Sequence, residues 1–381
     1  MKIGILTLPL RNNNYGGLLQ AYALQKVLKD MGHEVWIINR VYKEPSFIRK
    51  CASLGKRFIL KYIFKKNKQS FFYKPTKEEK KIVATYAHQF IKSHFVHITK
   101  EITKNKDLLS LNKKEFDAFI VGSDQVWRPE YSPCVTNYFL DFVKNETKIK
   151  RIAYAASFGV SNWKLTKKQT RDCSRLAKNF DAISVREDSG IDLCREFLHV
   201  DAVQVLDPTM LLDTKDYIQL VENEGKISSN LMTYILDKTD EKQQIINDAS
   251  EKLKLSPFSV IPNKKLTKET RADIKECIYP AATYWIRGFI DAQFVITDSF
   301  HGCVFSILFN KPFIAIGNLQ RGMTRFNSLL KMFELEDRLV HVSDTNFKNL
   351  FIKQINWTKV NSILVAKREE AKLFLSKNLT S

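Results

Sequence analysis

The chain has 381 residues and a formal net charge of +20, with 61 Lys and Arg against 41 Asp and Glu. That length suits two domains of ordinary size, and a hydrophobic fraction of 44% with 26 Phe and 13 Tyr supplies both with core material. No window reaches the roughly 18 apolar residues of a membrane-spanning helix, and so strong a positive field favours anionic partners: a phosphorylated substrate, nucleic acid or anionic lipid.

Met1 to Leu8 runs at once into Arg11 and an Asn-rich turn, with no small-residue cleavage pattern. It is therefore expected to be a first β-strand, and the protein to stay in the cytoplasm. Short apolar runs then alternate with helical patterns, as in parallel sheets covered by helices. The first half offers strands at Lys2–Leu8, Glu34–Asn39, Ala118–Gly122, Ile152–Ala156 and Ala182–Val185. A helix over Leu18–Met31 follows the first strand and closes at Gly32. The stretch 43–110 interrupts the alternation and is expected as helices outside the sheet. Within it, Arg49 to Lys81 holds twelve Lys and Arg against two Glu, interleaved with six aromatics. That composition suits either peripheral contact with the inner face of a membrane or a solvated excursion.

A second alternation begins after Val205-Leu206-Asp207-Pro208, with strands at Leu231–Leu236, Phe258–Ile261, Phe294–Thr297 and Phe313–Ile316 and a closing helix over Thr358–Lys377. The expected fold class is α/β: two Rossmann-like domains, 1–204 and 205–381, facing a central cleft. Ligands of such sheets bind beyond the carboxyl ends of the strands, so both halves should aim their loops into that cleft.

Five segments carry chemistry. Asn14, Tyr15, Gly16 and Gly17 open the first helix, where backbone N–H groups can meet an anion or simply form a tight turn. Ser123, Asp124, Gln125 and Trp127 follow a strand. The polar groups can bond sugar hydroxyls and the indole can stack on a pyranose, or Asp124 caps a helix and Trp127 joins the core. Arg186 ends a buried strand, where it pairs with Glu187 or Asp188 or faces a phosphate or carboxylate. Asp298, Ser299, His301 and Gly302 converge where a strand gives way to a helix, the sharpest candidate for catalysis. Lys311, Arg321 and Arg325 could surround an anion. The six scattered cysteines have neither C-x-x-C nor a metal-type spacing with His, so free thiols and no metal are expected.

Taken in order, N-Y-G-G-L-L-Q-A-Y-A-L, G-S-D-Q-V-W-R-P, A-Y-A-A-S-F-G, S-V-R-E, L-D-P-T-M-L-L and T-D-S-F-H-G-C-V-F-S-I resemble the polysaccharide pyruvyl transferase family. The resemblance implies a GT-B-like fold and no cofactor. It implies phosphoenolpyruvate as donor and transfer of pyruvate, as a ketal, onto a hexose of a surface (capsular or exo-) polysaccharide or its lipid-linked repeat unit. It maps the family's active-site histidine onto His301 and its arginine onto Arg186, with the first domain receiving acceptor and the second donor. The donor's charge calls for Arg186, Lys311, Arg321 and Arg325. His301 is the expected acid, and Asp124 or Asp298 the base. A nucleotide-sugar glycosyltransferase of the same architecture is the alternative. A nucleic-acid-binding protein would explain the charge but not these loops, and no RNA-recognition signature appears.

Overall fold

The structure is a computed structural model that describes residues 1–10, 14–43, 73–113, 116–143, 148–317, 322–344 and 346–380. Its first half is a six-stranded sheet of β1 (Lys2–Leu6), β2 (Glu34–Ile37), β3 (Ala118–Val121), β4 (Lys150–Ala156), β5 (Ala182–Val185) and β6 (Val203–Gln204), in the order β2-β1-β3-β4-β5-β6. Every pairing is parallel. Covered on both faces, such strands are apolar throughout: Ala118, Phe119, Ile120 and Val121 are all fully buried. The second half is a five-stranded parallel sheet of β7 (Leu231–Tyr234), β8 (Pro257–Ser259), β9 (Phe294–Thr297), β10 (Phe313–Ile316) and β11 (Leu339–Val340), in the order β11-β10-β9-β7-β8. These two sheets match the two Rossmann-like domains expected.

Each sheet reverses its strand order once, between β1 and β3 in the first and between β7 and β9 in the second. Loops leaving the two strands at such a point diverge and leave a crevice. Several observed strands stop short of their expected ends: β1 stops at Leu6 and β7 at Tyr234. Residues 8–10 and 236–238 turn away to line that crevice instead. The two-residue strands β6 and β11 were not anticipated, because two residues show no periodicity.

The first helix runs Tyr15–Asp30, three residues earlier than its apolar period implied. Asn14 caps it by accepting the Gly17 N–H at 3.1 Å, and Gly32 follows its end at φ +87°. Within 43–110 the described residues form helices Lys77–Val83, Thr85–His94 and Asn105–Leu108 outside the sheet. Residues 44–72, and with them most of the basic stretch, lie outside the described residues.

The domain division has one qualification. The closing helix, Trp357–Leu379, was assigned to the second domain but packs back on the first. Phe374 lies 6.2 Å from the Tyr154 ring of β4. Lys150, which opens β4, donates to the Asn378 carbonyl at 3.2 Å, and Arg368 holds the crossover between the domains by donating to the Met210 and Leu212 carbonyls at 2.8 and 3.0 Å. An apolar core therefore continues across the junction, from Leu18 and Leu24 through Met210 to Trp285 and Phe305. Five of the cysteines are free thiols, and Cys51 lies outside the described residues.

Candidate active site at the domain junction

The helix Phe300–Leu308 starts immediately beyond β9 and places His301 in its first turn. His301 is 6% exposed and presses on the first helix of the other domain. A Cβ built on Gly16 would lie 2.0 Å from the imidazole Nδ1, so only glycine at 16 admits this histidine. The other ring nitrogen, Nε2, lies 3.6 Å from Asp207 Oδ2.

Asp207, 2% exposed, was not singled out as a site residue. Its Oδ1 accepts the Thr209 N–H at 3.0 Å and the Thr209 hydroxyl at 2.7 Å, and its Oδ2 accepts Arg186 Nη1 at 2.8 Å. Burial opposes its charge, but His301, Arg186 and Thr209 outweigh burial and hold the carboxyl well below the usual carboxylate range. Arg186 also reaches Asp124 Oδ1 at 3.4 Å and lies over the Phe300 ring, 4.6 Å from its centroid. Burial disfavours its charge too, yet Asp207, Asp124 and Glu187 raise its pKa above the ordinary value. Arg186 therefore sits behind the cavity wall, held by Asp207 and Asp124: it is ion-paired, though not to Glu187 or Asp188, and it is not among the side chains that line the cavity, where its reading as a ligand contact put it. Glu187 instead accepts Ser157 Oγ and the Phe158 and Gly159 N–H groups at 2.7–3.0 Å.

Three expected ligand contacts turn out to be structural. Asp298, fully buried, accepts the Leu236 and Asp237 N–H groups at 2.6 and 3.1 Å and Lys242 Nζ at 2.6 Å. With both oxygens committed it ties β9 to the β7 loop, so the reading as a base is corrected. Trp127 is fully buried, stacked 4.9 Å from Phe139, with its indole N–H on the Tyr138 carbonyl at 2.9 Å. It offers no face to a sugar, because residues 135–139 cover it. Lys311 precedes β10, at the end of the sheet away from the cleft, and donates to the Ile290 carbonyl at 2.8 Å. It terminates the helix Ala282–Asp291 and cannot reach a donor in the cleft.

The remaining candidates divide similarly. Ser123 is fully buried between Gln20 and Ala155, donating to the Ala155 carbonyl at 2.9 Å. Gly302 is required because a Cβ would come 2.1 Å from Thr297 Oγ1. Tyr15 crosses the junction: its hydroxyl donates to the Pro280 carbonyl at 2.8 Å and its ring stacks on Trp285 at 5.5 Å. Burial, then the neighbouring Tyr234 and Tyr279, push its pKa far above the ordinary value, so it stays a neutral pin. Asn14, Tyr15, Gly17, Asp124, Gln125, Asp298, Ser299 and Arg325 do line the cavity, beside His301, although both oxygens of Asp298 are already taken. Arg325 is 8% exposed; burial, then the charge of Arg186, bring its pKa down to about 10, which leaves it cationic at neutral pH. Arg321 lies outside the described residues.

The cavity has a volume of about 710 Å³ and takes walls from both domains. Lys238, Lys264 and Lys265 face it from the loops after β7 and β8, and Tyr42 and Tyr131 from the first domain. Lys264 is shared with Asp273 and Glu276 at 2.9 and 3.0 Å. None of these five stood out among 61 basic residues and 13 tyrosines. Asp207 carried a better signal, an Asp-Pro entering a short 3₁₀ turn at the domain crossing, where a side-chain acceptor is wanted. Among the described residues no group of three or more His, Cys, Asp or Glu side chains could hold a metal ion, and no helix is long and apolar enough to cross a membrane.

In chemical terms the site offers a histidine backed by a buried carboxylate–arginine pair, at the floor of a cleft rimmed by cations. A family model described as polysaccharide pyruvyl transferase matches residues 14–320 of the chain. No curated protein matches its sequence. Among solved structures, UDP-GlcNAc 2-epimerase from Neisseria meningitidis is similar at 11% identity over 100% of this chain and 99% of that one, with a TM-score of 0.47. TarM is similar at 11% identity over 99% and 97% (TM-score 0.47), and MurG of Acinetobacter baumannii at 8% over 99% and 98% (TM-score 0.44).

Proposed function

This chain belongs to the polysaccharide pyruvyl transferase family, and from that premise we propose that it moves pyruvate from phosphoenolpyruvate onto two hydroxyls of one hexose, releasing phosphate. The observation that carries this reading is His301 on the cavity wall with Asp207 and Arg186 locked behind it. Arg325, Lys238 and Lys265 supply the positive potential that the donor's phosphate and carboxylate require.

The chemistry follows from those roles. His301 gives a proton to the methylene carbon of the donor, and C2 becomes an electron-poor centre. One sugar hydroxyl attacks C2 and surrenders its proton to Asp124, the carboxylate that lines the cavity and keeps one oxygen outside its contact with Arg186. The C2–O bond to phosphate then breaks, and the second hydroxyl closes the ketal as its proton returns to the imidazole that supplied the first, while the proton on Asp124 leaves with the phosphate. Asp207, 3.6 Å from Nε2, orients the imidazole, in the way a buried carboxylate serves a catalytic histidine elsewhere. Tyr131 and Tyr42, on the first-domain wall, take over the sugar-stacking part that Trp127 cannot play. In this reading the acceptor is a surface polysaccharide or its lipid-linked repeat unit. The basic stretch 49–81 draws the enzyme to the anionic inner face of the membrane, where each basic residue near the surface contributes about 1 kcal/mol.

The test is phosphate release from phosphoenolpyruvate with and without lipid-linked oligosaccharides, together with the acceptor's mass. Acceptor-dependent phosphate, and a mass gain equal to pyruvic acid less water, are expected. Release of a nucleoside diphosphate from a nucleotide sugar, with phosphoenolpyruvate untouched, would make the chain a glycosyltransferase instead.

A further inference from the structure

A second cavity, of about 640 Å³, lies on the outer surface of the first domain and shares no residue with the catalytic cleft. One wall is the helix Lys167–Ala177 together with the residue that caps its end, Lys178. Lys167, Arg171, Arg175 and Lys178 fall at i, i+4, i+8 and i+11, which places them in one stripe along that helix. All four are exposed and all four line the cavity, and no carboxylate does. Like charges stacked at this spacing oppose helix formation. Among the described residues, Arg171 alone of the four has an acidic neighbour, Asp172 at 3.7 Å. Two aromatic rings also line the cavity: Trp163 and Phe197 stack at 4.5 Å with 10° between their planes. Trp163 is held in place by its indole N–H, which donates to Thr170 Oγ1 at 2.7 Å.

A stripe of cations beside a stacked aromatic pair matches a carboxylate-bearing sugar chain. The pair meets the C–H faces of the sugar rings, and the stripe meets their charges. The eleven-residue helix is about 16 Å long, so the groove takes several sugars and not a single one. It also begins next to the catalytic cleft. Gly159 abuts Gln125 of the cleft wall, where a Cβ would come 2.0 Å from Gln125 Oε1, and Trp163 stands four residues further along the same loop.

We propose that this groove binds the already pyruvylated stretch of the acceptor glycan, in which each ketal presents a free carboxylate, and so holds the chain while its next unmodified hexose enters the cleft. The inference rests on the transfer reading above for the identity of the ligand. It explains why a surface outside the donor site carries four aligned cations beside an aromatic pair.

The test compares binding of the full chain to fragments of a pyruvylated exopolysaccharide and to the same fragments after mild acid has removed the ketals. Calorimetry without phosphoenolpyruvate reads binding alone, so it is independent of turnover. Intact fragments should bind at least tenfold tighter than stripped ones. The triple variant Arg171→Gln, Arg175→Gln, Lys178→Gln, whose sites are all exposed, should abolish that preference while leaving transfer onto a single short acceptor unchanged. Trp163→Leu should weaken intact fragments with the charge stripe in place. Equal binding of intact and stripped fragments overturns the proposal, as does a triple variant that keeps the preference. Equally tight binding of anionic-lipid vesicles through the same three residues would overturn it in favour of a membrane contact. A protein that transfers no pyruvate yet shows the preference overturns the transfer reading alone.

Discussion

Two loops that look alike in sequence, Gly122–Trp127 beyond β3 and Asp298–Gly302 beyond β9, divide their residues in the same way and to different ends. In the first, Ser123 and Trp127 turn inward and become core, leaving Asp124 and Gln125 on the cavity. In the second, Gly302 is spent on packing the next helix against β9, Asp298 touches the cavity with both oxygens spent on tying β9 to the β7 loop, and Ser299 and His301 reach the cavity. A strand-end loop at a switch point has to bury its own backbone and turn sharply, so part of it is always scaffold. What distinguishes the second loop is its backing. His301 has Asp207 behind it, itself held by Arg186, whereas Asp124 has a longer contact to the same arginine and the Gln125 N–H on one oxygen.

That contrast breaks most sharply at His301. His301→Ala should leave the fold intact by circular dichroism and cut acceptor-dependent phosphate release by about 10²–10⁴-fold, the range of a lost general acid. Retention of more than about a tenth of the activity would remove His301 from the chemistry.

Trp127 and Asp298 should fail as scaffold and not as ligand contacts. Trp127→Ala removes a fully buried indole and should cost about 3–5 kcal/mol in urea unfolding. Asp298→Asn leaves the ammonium of Lys242 buried without its counter-ion, and should cost a similar 3–5 kcal/mol. If either variant kept wild-type stability but raised the KM for a substrate, its residue would return to the binding surface.

Asp207 is separable by pH. Its carboxyl sits below its ordinary value of 3.8 in the folded chain, so the stability it contributes is fully present above about pH 4 and is lost as pH falls through the lower folded value. Stability should decline more steeply below pH 4 in the wild type than in Asp207→Asn. Parallel acid limbs would mean that Asp207 is not held in its charged form by His301 and Arg186.

The smallest effect concerns the pin between the domains. Tyr15→Phe deletes one hydroxyl hydrogen bond to Pro280 but keeps the stack on Trp285, and should cost about 0.5–1.5 kcal/mol. A much larger loss, or a change in kcat without one, would mean that the junction moves during turnover and that Tyr15 governs it.

Much of this molecule was legible before any coordinates. Apolar runs at strand length, separated by helical periods, marked nine of the eleven strands, since burial of both sheet faces forces such runs. The position of His301 one turn into a helix at a strand's carboxyl end followed from the same pattern, because ligands of these folds meet strand ends. Direction and partnership were not legible. Whether Trp127 faces a sugar or a phenylalanine depends on residues 135–139, and whether Lys311 faces a donor depends on which end of β10 it occupies relative to the cleft. Asp207 takes its meaning from Arg186, 21 residues earlier, and from His301 across the domain junction. A periodic pattern encodes which side chains are buried. Only the packing of distant segments decides what a buried charge is buried against, because a charge removed from water takes the nearest opposite partner that the fold brings to it.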